Sequence, residues 1–287
     1  MSYMQATYAN LCPICGKDLS LNEVNNKICH HRNIQLCRLS EDELFEEFLN
    51  FFEKTIGKPR KIQRMWAKRI LRNESFAAVA PTGVGKTSFG VAISIFLALK
   101  SKKCYILLPT TLLVNQVVLK VEEYAKKAGI DVALNANTDK NLKSIKVAYY
   151  HGTLKKAEKE RFFNVLNDAD LLITTTQFLS KHFDEINTTF DFIFVDDVDA
   201  ILKTSKNVDR ILKLLGFQYK NGWKSKTKGC LMVSTATAKK GRKAELFRRL
   251  LNFDIGSSTF TIRNIDDIAI NSMEINVLAK ILTKMGK

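Results

Sequence analysis

The sequence predicts an α/β fold in which helices cover both faces of a parallel β-sheet, with a small cysteine-rich module before it. Between residues 62 and 252, short apolar segments alternate with helical patterns, and such alternation is typical of a parallel sheet. A glycine-rich octapeptide at residues 80–87 lies between a predicted strand and a predicted helix. Four of the six cysteines fall within the first 37 residues, which indicates a separate module at the start.

The composition excludes several classes of protein. The 287 residues are 46% hydrophobic and 26% charged, as in ordinary water-soluble globular chains. The longest apolar runs are too short to span a membrane, and the start of the chain lacks a signal-peptide pattern, so we expect a cytoplasmic location. The formal net charge of +16 favours a polyanionic partner, most simply a nucleic acid. Solubility or thermal adaptation through many lysines is the alternative explanation of this charge.

The cysteines near the start predict a structural zinc site. They are Cys12, Cys15, Cys29 and Cys37. The first two flank a tight turn in which two thiolates can face one metal ion. The fourth ligand stays open, because His30 or His31 beside the third cysteine could replace the last one. A disulfide framework is the alternative, but it suits small secreted domains, and nothing in the sequence indicates secretion.

The sheet and its helices follow in order along the chain. Residues 40–43 resemble a helix cap that leads into a helix with one apolar face at residues 44–52. The predicted strands are apolar segments at residues 75–79, 104–108, 147–150, 171–174, 192–195 and 230–234. In a parallel sheet of this kind, functional residues gather at the carboxyl ends of the strands.

The octapeptide predicts binding of a nucleotide triphosphate. A glycine-rich loop before a helix can point backbone N–H groups at phosphate oxygens, where the helix N-terminus adds a favourable field. Lys86 is expected to reach the β and γ phosphates, and the Thr87 hydroxyl to bind Mg²⁺. A glycine turn that matches by chance is the alternative, but chance does not readily supply strand, loop and helix in order. The predicted binding residues here are Pro81, Thr82, Gly83, Val84, Gly85, Lys86, Thr87 and Ser88.

Three carboxylates directly follow the apolar strand at residues 192–195. Asp196 is predicted to hold Mg²⁺, and Asp197 to orient or deprotonate the water that attacks the γ phosphate. Asp199 is expected to face neighbouring elements, with Ser234 or Thr235 as candidates. An acidic turn that closes a strand is the alternative, but crowded carboxylates repel each other unless a cation lies among them.

Three other predicted strands end in hydroxyl-rich segments. Hydroxyls, amides and helix N-termini are groups that grip a nucleic-acid backbone without reading its bases. Each hydroxyl could instead cap a helix, which is the commoner use of Ser and Thr, but the shared location favours a nucleic-acid site. The predicted nucleic-acid contacts are Pro109, Thr110, Thr111, Thr175, Thr176 and Gln177, and the predicted coupling residues are Asp199, Ser234, Thr235 and Thr237.

The order of Gln63, APTGVGKT, PTTLLVNQ, TTTQF, DDVD and STAT resembles the first RecA-like lobe of superfamily 2 helicases. More narrowly, residues 63–70, 75–87, 192–200 and 250–253 resemble reverse gyrase, and the similarity runs over essentially the whole chain. The resemblance implies a RecA-like P-loop fold. It also implies a zinc finger at residues 1–39, an ATP-binding helicase lobe at residues 40–262 and a linker toward a second lobe at residues 263–287.

The resemblance further implies ATP, Mg²⁺ and Zn²⁺ as cofactors and DNA as the partner. Gln63 matches the glutamine that reads adenine, although a polar residue at a helix entrance is the alternative. Ile56 occupies the approximate position of an aromatic residue that stacks on adenine, and Phe52 is the candidate replacement. Asp197 corresponds to a glutamate of DEAD-box proteins, so a shorter carboxylate takes the same role.

The resemblance implies the N-terminal part of a reverse gyrase, which binds ATP and DNA and remodels DNA in the positive supercoiling reaction of the full enzyme. Such an enzyme also needs a second RecA-like lobe and a type IA topoisomerase domain, for which the sequence has no room. We therefore expect slow turnover from this chain alone. The alternatives are a stand-alone superfamily 2 helicase lobe and a zinc-containing DNA-binding remnant without ATPase activity. A basic stretch with two aromatic residues at 219–228 suits DNA contact or a solvated hairpin equally.

Overall fold

The computed structural model describes residues 43–136, 144–202, 205–219, 223–225 and 229–236, together with short or isolated positions at 7–8, 19–20, 23, 28–29, 34–35, 247 and 250–251. The chain divides into two units. One comprises Met1–Glu47 and Asp266–Lys287, and the other comprises Phe48–Ile265.

The first unit contains two antiparallel pairs of very short strands. Strand β1 (Thr7–Tyr8) pairs with β2 (Leu19–Ser20), and β3 (Ile28–Cys29) pairs with β4 (Ile34–Gln35). The predicted zinc ligands Cys12, Cys15 and Cys37 lie outside the described residues, as do both candidate histidines, and only the backbone of Cys29 is described. The zinc site therefore stays a prediction.

The described helices alternate with strands along the larger part of the chain. They are α1 (Glu43–Thr55), α2 (Lys61–Leu71), α3 (Lys86–Leu99), α4 (Thr111–Ala128), α5 (Lys156–Val165), α6 (Thr176–Lys181), α7 (Asp199–Leu202) and α8 (Ser205–Leu214), with a short 3₁₀ turn at Phe183–Glu185. Within the described residues, no helix combines the length and the apolar composition needed to cross a bilayer.

Seven strands form one sheet in which all neighbouring strands are parallel, so the predicted α/β architecture is confirmed. The seven strands of this sheet are β5 (Phe76–Val79), β6 (Cys104–Leu108), β7 (Asp131–Leu134), β8 (Ser144–Tyr149), β9 (Leu171–Thr175), β10 (Phe192–Val195) and β13 (Cys230–Thr235). Two further strands outside it are β11 (Phe217–Tyr219) and β12 (Trp223–Ser225). The sheet order is β5-β13-β10-β6-β9-β8-β7. Strands β11 and β12 form a separate antiparallel pair, which is the pairing that the hairpin interpretation of residues 219–228 expects.

The sheet order places β13, the last of the described strands, between two strands that carry predicted site residues. Strand β13 pairs with β5 on one side and with β10 on the other. Strand β5 leads into the octapeptide, and β10 leads into the three carboxylates. Because parallel strands end at the same edge of a sheet, the two motifs and the end of β13 meet there.

Helix α3 is buried because it is apolar nearly all round. Phe89 in its first turns is fully buried and contacts Phe48, Phe52 and Trp66, with ring centroids 5.9, 6.1 and 5.4 Å away. On the sheet side, Gly90 approaches the ring of Phe194 in β10 so closely that a Cβ atom at residue 90 would lie 2.6 Å from Cζ. The small glycine therefore sets the distance between α3 and β10.

Candidate nucleotide-binding site

The loop between β5 and α3 adopts a conformation that requires glycine. Gly83 and Gly85 have φ values of +85° and +86°, in the left-handed region that residues with a Cβ atom rarely adopt. A Cβ atom at residue 85 would also lie 2.9 Å from Nε2 of Gln63. At the start of the loop, the N–H of Ala80 donates to the carbonyl of Thr235 at 3.1 Å, which ties the loop to the end of β13.

The Lys86 ammonium lies across this loop. Its Nζ donates to the carbonyl oxygens of Ala80 at 2.6 Å and Pro81 at 2.8 Å. Burial lowers the pKa of Lys86 from its ordinary value, and the nearby Asp196 carboxylate opposes that shift. The cation is therefore already held inside the site and partly shielded from water, where its attraction for an anion is stronger than at the surface.

Asp196 joins the loop to the end of β13. The Thr87 hydroxyl donates to its Oδ2 and the Ser234 hydroxyl donates to its Oδ1, each at 2.6 Å. Carboxylate and hydroxyl oxygens are ligands that Mg²⁺ accepts when nucleotide phosphates and water complete its shell. Among the described residues, no group of three or more His, Cys, Asp or Glu side chains is arranged to hold a metal ion. The oxygen atoms of Asp196 and Thr87, which lie within hydrogen-bonding distance of each other, fit a metal that phosphate oxygens also bind.

The backbone turns sharply after Asp196. Asp197 has φ +66°, a left-handed conformation that costs a non-glycine residue about 1–3 kcal/mol and persists only where its surroundings hold it. Its N–H donates to the Ser234 hydroxyl at 3.4 Å, and its Oδ1 accepts from the N–H of Asp199 at 3.2 Å. The turn brings all three carboxylates to one cavity. Ser234 was a predicted neighbour of Asp199, but its hydroxyl donates to Asp196. Asp199 lines the same cavity as Ser234.

The cavity has a volume of about 620 Å³, within the usual range for small-molecule sites. Its lining residues are Thr82, Gly83, Gly85, Lys86, Thr87, Ser88, Lys120, Asp196, Asp197, Asp199, Ser234, Thr235 and Ala236. Pro81 and Val84 belong to the same loop, and Thr237 lies outside the described residues. The structure therefore brings most of the predicted nucleotide and coupling residues together, and it adds Lys120, which the sequence analysis missed.

Gln63 bridges a helix start and the glycine-rich loop. Its Oε1 accepts from the N–H of Arg60 at 2.9 Å, and its Nε2 donates to the carbonyl of Val84 at 3.4 Å. Adenine recognition by this side chain stays a prediction. The proposed replacement of the adenine-stacking residue by Phe52 is wrong, because Phe52 is only 1% exposed and packs on Phe89.

Two hydroxyls of the predicted nucleic-acid surface cap helices. The Thr110 hydroxyl accepts from the N–H of Leu113 at the start of α4. The Thr175 hydroxyl accepts from the N–H of Phe178 at the start of α6. For these two threonines, the hydrogen bonds agree with the alternative interpretation, in which the hydroxyl caps a helix.

The other predicted nucleic-acid contacts lie beside these caps at the carboxyl ends of the adjacent strands β6 and β9. Gln177 is exposed, and the remaining members of the group are half-buried; these are Pro109, Thr111 and Thr176. Their accessibility is compatible with a nucleic-acid surface, and contact with nucleic acid stays a prediction.

Comparison with known proteins places the chain in a family. Residues 60–245 match the DEAD/DEAH box helicase family. The chain is 38% identical to reverse gyrase from Methanocaldococcus jannaschii over 91% of its own length and 18% of that protein. It is 34% identical to reverse gyrase from Pyrococcus horikoshii over 99% of its own length and 22% of that protein. The chain thus spans about a fifth of the length of these relatives.

Solved structures agree on the fold. The yeast DEAD-box splicing factor Prp28 superimposes with a TM-score of 0.51 at 18% identity, over 74% of this chain and 49% of that one. A domain of the DEAD/DEAH box family uses ATP and Mg²⁺, in agreement with the oxygen ligands of Asp196 and Thr87. The chain therefore belongs to the DEAD/DEAH box helicase family, and within it the chain is similar to the helicase-like part of reverse gyrases.

Proposed function

We propose that this chain is the ATP-binding, DNA-contacting lobe of a reverse gyrase, in which ATP use drives DNA remodelling toward positive supercoiling. The observation that carries the proposal is the hydrogen-bonded set of Thr87, Asp196 and Ser234 beside the Lys86 ammonium. Four segments distant in sequence supply the lining of one cavity. In the complete enzyme, a second RecA-like lobe and a type IA topoisomerase domain would be its partners, and the cytoplasm its location.

Each side chain at the site has a task that its chemistry supports. Lys86 would leave the carbonyls of Ala80 and Pro81 to neutralise the β and γ phosphates, and the left-handed glycines let the backbone approach the phosphate chain. Thr87 and Asp196 would hold Mg²⁺, which supplies charge neutralisation when bound. Asp197 would orient the attacking water or accept its proton.

The DNA surface would lie at the neighbouring carboxyl ends of β6 and β9. Thr111, Thr176 and Gln177 offer hydroxyls and an amide there, and the formal net charge of +16 favours phosphate contacts over base contacts. Ser234 and Thr235 at the end of β13 would couple the two sites, because Ser234 bonds to Asp196 and β13 borders β10. The helicase lobe would extend over residues 40–262, followed by a linker at 263–287.

The experiment that tests the function compares this chain with its Asp197→Asn variant. We expect Mg²⁺-dependent ATP binding and slow turnover that Asp197→Asn abolishes while nucleotide binding remains. Duplex or single-stranded DNA should stimulate binding or turnover. Indifference of both quantities to DNA would contradict the DNA-coupled function. Salt-sensitive DNA binding without any nucleotide binding, unchanged by Lys86→Ala, would instead indicate a remnant without ATPase activity.

We further propose a zinc finger at residues 1–39, with Cys12, Cys15, Cys29 and Cys37 or one of the adjacent histidines as ligands. The purified chain should contain about one zinc ion per molecule, because a four-thiolate or three-thiolate site binds zinc tightly. Elemental analysis of the chain and of a Cys12→Ser, Cys15→Ser double variant measures this. The variant should lose the metal, and a wild-type chain purified without chelator that lacks zinc would contradict the proposal.

A further inference from the structure

We infer that Lys120 is a second phosphate-binding cation of the nucleotide site and acts on a phosphate that ATP and ADP share. The inference rests on the proposed function of the cavity. It adds a residue outside both the glycine-rich octapeptide and the carboxylates that follow β10. Lys120 comes from α4, the helix that packs beside α3, rather than from the loop or from β10.

The position of Lys120 on α4 directs its side chain toward α3. Val117 and Val121, the neighbouring residues on the packed side of the helix, are buried, whereas Lys120 itself is half-buried. Its Nζ donates to the Ser88 hydroxyl at 3.2 Å, and both side chains line the cavity. Ser88 is the third residue of α3, so the ammonium lies at the first turn of the helix, where anions bind favourably.

The charge of the cavity supports a role in anion binding. Two ammonium groups, Lys86 and Lys120, face three carboxylates among the lining residues, so their formal charges sum to −1. An anionic nucleotide would meet net repulsion from such a site without its metal, and removal of either ammonium would increase that repulsion. Lys86 already donates to two loop carbonyls. The bond from Lys120 goes to a neutral hydroxyl, and a bond from the same ammonium to an anionic phosphate oxygen would be stronger.

The contact on Ser88 also indicates which phosphate is involved. Thr87 and Asp196 would hold the metal, which would neutralise charge at the γ-phosphate end of the nucleotide. The Lys120 ammonium donates to Ser88, the residue after Thr87 in α3. We therefore assign Lys120 to the part of the phosphate chain nearer the nucleoside, which remains after the γ phosphate has left.

The test measures the affinities of the wild-type chain and of Lys120→Met for ADP and for a non-hydrolysable ATP analogue, each with Mg²⁺. The affinities for both nucleotides should fall by about the same factor, about tenfold or more, because each loses one charge-assisted contact. The KM for ATP should rise with kcat nearly unchanged. Lys120→Arg should keep most of the affinity. Lys126→Met is the matched control, since Lys126 is an exposed lysine six residues further along α4, and its affinities should equal those of the wild type.

Two results would overturn the inference. Wild-type affinity in Lys120→Met would show that the lysine does not bind nucleotide, and loss of ATP affinity with ADP affinity intact would place it at the γ phosphate instead. Thermal unfolding without nucleotide shows whether Lys120→Met is folded. If the methionine lowers stability, Lys120→Gln removes the charge with a polar side chain instead. Failure of the wild-type chain to bind any nucleotide would contradict the proposed function itself, so the two failures are distinguishable.

Discussion

Asp196→Asn is expected to lower Mg²⁺-dependent ATP turnover by about a thousandfold while the chain stays folded. The carboxylate accepts one hydroxyl on each oxygen, from Thr87 and from Ser234, at 2.6 Å. An amide has nearly the same shape, but it lacks the negative charge and presents N–H donors where one of these oxygens was. Loss of a metal's charge stabilisation costs several kcal/mol, and each 1.36 kcal/mol corresponds to a factor of ten in rate.

The measurement is steady-state ATP turnover as a function of Mg²⁺ concentration. Asp191→Asn is the matched control, because Asp191 precedes the same strand at its opposite end and accepts from Lys102 and Lys103 at the surface. The control should keep wild-type turnover. Equal losses in the two variants, or an unchanged Mg²⁺ dependence in Asp196→Asn, would show that Asp196 does not hold the metal.

Gly90→Ala is expected to destabilise the fold by about 2–3 kcal/mol, the effect of overpacking a filled core. The added Cβ would lie 2.6 Å from Cζ of Phe194 and nearer still to Cδ1 and Cε1, so α3 and β10 must move apart. Turnover should also fall. Thr87 lies three residues before Gly90 and Asp196 two residues after Phe194, and a displacement of these elements would lengthen the hydrogen bond between the two site residues.

Urea unfolding of the wild type, Gly90→Ala and Gly152→Ala measures this effect. Gly152 is the control, because a Cβ atom there would meet nothing within 4 Å, and its stability should change by less than about 0.5 kcal/mol. A second substitution, Phe194→Leu, should restore part of the stability of Gly90→Ala by making room for the methyl group. Wild-type stability of Gly90→Ala would mean that helix and strand adjust without cost.

Much of the fold could be predicted because the inner strands are buried on both faces and therefore form unbroken apolar runs. Strand β7 (Asp131–Leu134) was missed for the converse reason. It lies at the edge of the sheet, with Asp131 exposed and only Ala133 fully buried, so its four residues have no distinctive pattern. The pairing with β8, rather than an intrinsic preference, makes this segment a strand.

The site could be predicted where its chemistry lies in a contiguous motif. Lys86, Thr87 and Asp196 meet in the cavity as the spacing of strands and motifs requires. Lys120 has no such local pattern, because its role depends on the packing of α4 against α3. The sequence feature that could have indicated this role is the position of Lys120 on α4, close to Val117 and Val121 on the packed side of the helix.

The hydroxyl-rich strand ends illustrate a different limit. A threonine before a helix satisfies orphan N–H groups whether or not it also faces a ligand. Thr110 and Thr175 cap α4 and α6, so their presence follows from the local needs of the backbone. Sequence alone cannot separate that need from a contact with nucleic acid, because both use the same oxygen.

The insertion of β13 between β5 and β10 has a consequence for how the chain reaches its native state. The N–H of Leu231 donates to the Ser75 hydroxyl across 156 residues, and β5 joins the sheet through β13. Contacts between residues so far apart in the sequence slow folding, because bringing distant segments together costs chain entropy before the contact forms. During synthesis, the glycine-rich loop would thus emerge long before the strand that anchors it. Because Ala80 at the start of that loop bonds to Thr235 of β13, the nucleotide site is complete only after β13 has joined the sheet.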